Sequence, residues 1–140
     1  MPFVTVAVMV VAVLFALVIV VPRVLMASKT AKLKGKPAPT PYKPAAKRIT
    51  SGARTILYFY TPTCGVCRTQ TPIITKLQKR YPDAIFRIDA TKHPQAAKAY
   101  GVMGVPFLAF IENGILVAAK AGLQREAALK AFLAGEAQGA

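Results

Sequence analysis

The hydrophobic pattern of this chain changes character twice. From Phe3 to Val21, nineteen consecutive positions carry no charge and a single hydroxyl, Thr5. As a helix at about 1.5 Å per residue this run measures roughly 28 Å, close to the hydrocarbon thickness of a bilayer. The pattern then turns polar. Residues 27–52 hold Pro37, Pro39, Pro41 and Pro44 among lysines and alanines. Pro-x-Pro spacing favours an extended, semi-rigid chain, and there is little apolar surface to bury. The expected division is an anchor with its basic flank over 1–26, a Pro/Lys-rich tether over 27–52 and a folded domain over 53–140.

Within the third part the periodicity alternates between strand and helix. Arg54 to Tyr60 is apolar at nearly every position and rich in β-branched and aromatic residues, the pattern of a strand buried on both faces. Cys64 to Tyr81 reads as a helix, with Ile73, Ile74, Leu77 and Tyr81 on one stripe and Lys76, Lys79 and Arg80 on the other. Pro72 falls inside it and predicts a kink. Ala84 to Ile88 reads as a second strand, and strand–helix–strand order implies a right-handed crossover with a parallel pair. A short helix over Pro94–Tyr100 precedes a third strand in Val102–Ile111. Glu112-Asn113-Gly114 carries the Asn-Gly hairpin signal, so Ile115–Ala119 returns antiparallel. Gln124–Leu133 closes the domain as a helix, and the tail Gly135–Ala140 is expected to fray. The order is β-α-β-α-β-β-α, an α/β domain whose four-stranded mixed sheet has helices on both faces.

Charge changes this picture mainly at the first segment. The chain has 19 basic and 5 acidic residues, a net charge of +14. Residues 1–52 contain eight of the basic residues and no acid, and residues 53–140 contain eleven basic and all five acidic ones, so much of the excess lies outside the domain. No helix-turn-helix, zinc-finger or RNA-binding signature accompanies it, and a nucleic-acid partner is not expected. A cleaved signal peptide would need a basic n-region and a shorter apolar core, whereas only Met1-Pro2 precedes this run, and Met26-Ala27-Ser28 is a poor cleavage match. An uncleaved anchor is the expectation. Arg23, Lys29, Lys32, Lys34 and Lys36 follow the span, so the positive-inside rule places the N-terminus outside and the domain in the cytoplasm, with an extracytoplasmic domain as the alternative. The same lysines suit anionic lipid headgroups.

The candidate chemistry sits at Thr61-Pro62-Thr63-Cys64-Gly65-Val66-Cys67, between the first strand and the first helix of the domain. Its cysteines are the only two in the chain. A helix N-terminus favours a thiolate over a thiol, and a second sulfur one turn on is within reach of a disulfide. The pair can therefore cycle between dithiol and disulfide. It can also contribute to a zinc or Cu(I) site, although His93 reads as an exposed loop residue and no resident metal is expected. A third option is a non-catalytic membrane subunit that uses the domain as a docking platform.

Several motifs together resemble the thioredoxin superfamily. They are Tyr58-Phe59-Tyr60 ending the first strand, Cys64-Gly65-Val66-Cys67, Pro72, Arg87-Ile88-Asp89, Gly104-Val105-Pro106 and Glu112-Asn113-Gly114. The resemblance covers about residues 53–134 and implies a thioredoxin-like fold. It also implies a Cys64–Cys67 redox disulfide, with Cys64 as nucleophile and Cys67 as the resolving thiol. It implies a cis bond before Pro106, with Val105, Pro106, Gly65 and Val66 contacting the substrate. The activity implied is disulfide reduction or exchange on protein clients, without a cofactor, with an upstream thiol donor to restore the dithiol. Three departures stand out. Tyr58 occupies the place of the family's buried acid, the chain has no tryptophan, and the tether over 27–52 leaves no counterpart of the family's first β-α unit.

Overall fold

The computed structural model describes residues 1–136. Its elements run α1 (Pro2–Leu33), α2 (Lys43–Thr50), β1 (Thr55–Tyr60), α3 (Cys67–Arg80), β2 (Ile85–Asp89), α4 (Pro94–Ala99), β3 (Phe107–Glu112), β4 (Ile115–Ala121) and α5 (Glu126–Ala134). The last four residues of the expected tail, 137–140, lie outside the described residues.

One mixed sheet, in the order β2-β1-β3-β4, organises the domain. β1 pairs parallel with β2 and antiparallel with β3, and β3 pairs antiparallel with β4. Strand alternation sends successive residues of β1 to opposite faces. Leu57 and Phe59 join Ala45, Ile49, Ala96 and Tyr100 on the face covered by α2 and α4. Ile56 and Tyr58 join Ile74, Leu77, Leu129 and Phe132 under α3 and α5. All four β1 residues are at most 1% exposed, so β1 is central, as its unbroken hydrophobicity predicts. The β3–β4 hairpin turns at Asn113 (φ 53°) and Gly114 (φ 72°), two positive-φ positions that Asn-Gly fills at low cost.

Residues 27–52 do not form the expected extended tether, and they restore a helix where no counterpart of the family's first unit was expected. α1 continues through Leu33, which packs against the α2/α4 core. Lys29 Nζ donates to the Lys98 carbonyl (2.7 Å), and the Thr30 hydroxyl lies within hydrogen-bond reach of the Tyr100 and Gly101 carbonyls (3.0 and 3.1 Å). The next residues line the outer edge of β4: Gly35 N–H donates to Leu116 O and Ala38 N–H to Gly114 O, each at 2.8 Å, while Leu116 N–H donates to Lys36 O. The Tyr100 hydroxyl donates to the Pro39 carbonyl. α2 then buries Ala45 and Ile49, one turn apart, against the sheet. Pro44 stands in the first turn of α2, where a missing N–H breaks no helical bond. The packed domain thus begins well before the expected boundary at residue 53.

Candidate functional site

The two sulfurs sit where β1 hands over to α3. β1 ends at Tyr60, and residues 61–66 turn before the helix begins at Cys67, three residues later than the sequence pattern suggests. The Cys64 N–H is taken up in one of these turns, donating to the Thr61 carbonyl (3.2 Å). Cys64 and Cys67 form a disulfide with their Cα atoms 5.2 Å apart. Cys67 is buried (3% exposed), whereas Cys64 is partly open to solvent, so an incoming group meets Cys64 first. The Cys67 N–H donates to Cys64 Sγ (3.1 Å). That N–H and the α3 N-terminus favour negative charge on Cys64 once the disulfide opens.

A second loop completes the site. Val105 and Pro106 are joined by a cis peptide bond, and the Val105 carbonyl oxygen lies 3.6 Å from Cys64 Sγ. Gly65 and Val66 stand exposed between the cysteines, and a Cβ at Gly65 would meet open space. The structure therefore brings Cys64, Cys67, Val105 and Pro106 together, with Gly65 and Val66 on the open rim. Exposed Val66 (50%) and Met103 (44%) belong to the two loops that carry the site. Gln70 is fully buried and fastens α3 to the segment before α5: Gln124 N–H donates to its Oε1 (2.7 Å), and its Nε2 donates to the Gln124 carbonyl. His93 lies instead against the Tyr42 ring, at 5.0 Å in an edge-on contact.

Beneath the pair lies Tyr58, fully buried. Its hydroxyl is 3.0 Å from the Thr71 hydroxyl and donates to the Cys67 carbonyl (3.4 Å). Burial pushes the Tyr58 hydroxyl above its usual pKa, with Thr71 and Arg87 opposing. The group below Cys67 is thus a neutral hydroxyl pair. The nearby carboxylate of Asp89 is engaged with Thr91, whose N–H (2.9 Å) and hydroxyl (2.6 Å) both donate to Oδ1. The Thr91 hydroxyl holds the Asp89 pKa below its usual range, against the opposing effect of burial.

Arg87 and Thr71 also border the disulfide, in a groove that sequence reading did not assign. The register that sets Tyr58 beside Arg87 and Tyr60 beside Asp89 places Arg87 there, α3 brings Thr71, and no local pattern announces either.

An α/β sheet of this order, with a Cys-x-x-Cys disulfide at a helix start facing a cis-proline loop, defines a thioredoxin-like redox protein. The thioredoxin family model matches residues 44–135, and the chain belongs to that family. The match takes in most of α2, in keeping with the packed position of that helix. The chain is 34% identical over 78 residues to the chloroplastic thioredoxin-like protein HCF164 of Oryza sativa subsp. japonica, covering 53% of this chain and 29% of that protein. It is 34% identical over 68 residues to the chloroplastic M-type thioredoxin of Pisum sativum, covering 47% and 40%. Among solved structures it resembles the oxidised form of mitochondrial thioredoxin 3 from Saccharomyces cerevisiae, with a TM-score of 0.55, 27% identity and coverage of 64% of this chain and 84% of that one. The chain spans less than a third of the length of the HCF164 proteins it matches, 29% in Oryza sativa subsp. japonica and 28% in Arabidopsis thaliana.

Proposed function

We infer that this chain is a membrane-tethered thiol–disulfide oxidoreductase acting on protein clients. The observation that carries the reading is the partly open Cys64 sulfur, set between the Cys67 N–H and the Val105 carbonyl at 3.1 and 3.6 Å. In the reduced protein the Cys64 thiolate attacks one sulfur of a client disulfide. The client S–S bond breaks, its other sulfur leaves as a thiolate and takes a proton from water, and a mixed disulfide forms. Cys67 then loses its proton and attacks Cys64 Sγ, releasing the client's second thiolate. Two electrons pass to the client, and the Cys64–Cys67 disulfide is the oxidised product. A separate thiol donor restores the dithiol. Val105 supports client recognition, because a backbone carbonyl beside the sulfur can pair with an extended peptide.

The tether is α1, which is long and apolar enough to cross a membrane. The basic residues from Arg23 to Lys36 support placing the domain on the cytoplasmic face, with Arg23 and the lysines other than Lys29 available to anionic headgroups. Insulin-disulfide reduction by the detergent-solubilised full chain tests the activity. Turnover that disappears in Cys64→Ser is expected. Equal rates in the two proteins would defeat the redox reading and favour a docking role for the fold.

A further inference from the structure

Beside the disulfide, on the α3 side, lies an open groove of about 330 Å³. Val105 and Pro106 do not line it, so it is separate from the loop that would pair with a client backbone. Two arginines line it, Arg68 and Arg87, together with Tyr60 and Thr71, and no aspartate or glutamate does. Arg68 directly follows Cys67 in α3 and is exposed. One step along a helix rotates the side chain by roughly 100°, from buried Cys67 to the open side. Arg87 comes from β2 and is also exposed. Its guanidinium carbon stands 5.3 Å from the centre of the Tyr60 ring. An arginine lying over an aromatic face keeps its in-plane N–H donors free for another partner.

Among the described residues neither arginine has a carboxylate partner. The ion pairs among the described residues are Arg54–Glu112 and Lys76–Glu126. Asp89, which shares a face of β2 with Arg87, is occupied by Thr91. Two unpaired arginines at the mouth of a reactive disulfide form a local positive field where a client must approach.

Resting on the thiol–disulfide reading above, we propose that this groove selects clients with acidic residues beside the cysteine that Cys64 attacks. The client chain lies along Val105, and its carboxylates reach across the sulfurs to Arg68 and Arg87. Arginine suits this role because its planar donors match a carboxylate edge-on.

Two disulfide-linked peptides test the proposal, identical except that aspartate and glutamate flank the cysteine in one and lysines flank it in the other. The reduced full chain in detergent is mixed with each, and the second-order exchange rates are compared. The readout is the ratio of the two rates within one protein, so a general slowing in a variant cancels. The acidic peptide should react roughly fivefold or more faster, the size expected when two surface ion pairs form in the encounter complex. Raising the salt to about 0.5 M should bring the ratio toward one, because screening at that strength shortens the range of the field to a few ångströms. Arg68→Glu with Arg87→Glu should invert the ratio. A wild-type ratio near one, or a preference that survives charge reversal, overturns the proposal. If both peptides react equally and only through Cys64, the redox reading stands and the charge preference alone fails. If neither peptide reacts, both fall.

Discussion

Tyr58 is the residue at which this site departs furthest from a carboxylate-assisted one. Its ring is packed under α3, and its hydroxyl is shared between Thr71 and the Cys67 carbonyl. Burial raises its pKa above the ordinary 10.0, so it holds its proton throughout the neutral range. The sign follows directly. A group whose pKa is raised stays protonated below that value, so Tyr58 contributes no titration between about pH 6 and 9. The rate of disulfide exchange plotted against pH should therefore show one rising limb, that of the attacking thiol. A second inflection in this range that vanishes in Tyr58→Phe would contradict the assignment. Replacing an acid by a tyrosine is visible in sequence alone. What the hydroxyl touches is not, because Thr71 meets Tyr58 only once α3 has folded back over β1. The same holds for Arg87, whose neighbours are set by strand register rather than by anything adjacent in the chain.

At the scale of elements, the sheet and its helices follow from local rules. Unbroken hydrophobicity marks β1 as central, the stripe of Ile73, Ile74 and Leu77 marks α3, and Asn113-Gly114 marks the hairpin. The segment before β1 was not legible in this way. Its prolines suggest a chain that neither folds nor packs, yet Pro44 only opens α2, and two small apolar contacts, Ala45 and Ile49, dock that helix. A period of one turn over eight residues is too short a signal to outweigh four nearby prolines. Packing of α2 predicts that Ile49→Ala destabilises the domain by about 2–4 kcal/mol, the usual result of deleting a fully buried branched side chain. Urea unfolding of the full chain measures it. A change below about 0.5 kcal/mol, the range of ordinary surface substitutions, would return 27–52 to the status of a free tether.

At the scale of the whole molecule, the end of the apolar helix makes contacts with the redox domain. Lys29, Thr30 and Leu33 at the end of α1 reach Lys98, Tyr100, Gly101 and the α2/α4 core. The apolar run itself is plain in the sequence, but this docking is not, since it joins residues about seventy positions apart. With α1 as a single span, the chain should remain in the membrane pellet after washing with alkaline carbonate. In intact cells with the disulfide reduced, a membrane-impermeant thiol reagent should leave Cys64 unlabelled, as the basic flank implies. Recovery in the wash would rule out the span. Labelling of Cys64 from outside would place the domain on the other face.

If Cys64 attacks and Cys67 resolves, the two cysteines differ in what they trap. The Cys67→Ser protein, incubated with a disulfide-bonded client, should accumulate a mixed disulfide that maps to Cys64 by mass spectrometry and disappears on reduction. The Cys64→Ser protein should accumulate little, because Cys67 is buried behind it. Equal trapping by the two variants, or none by Cys67→Ser, would contradict the account.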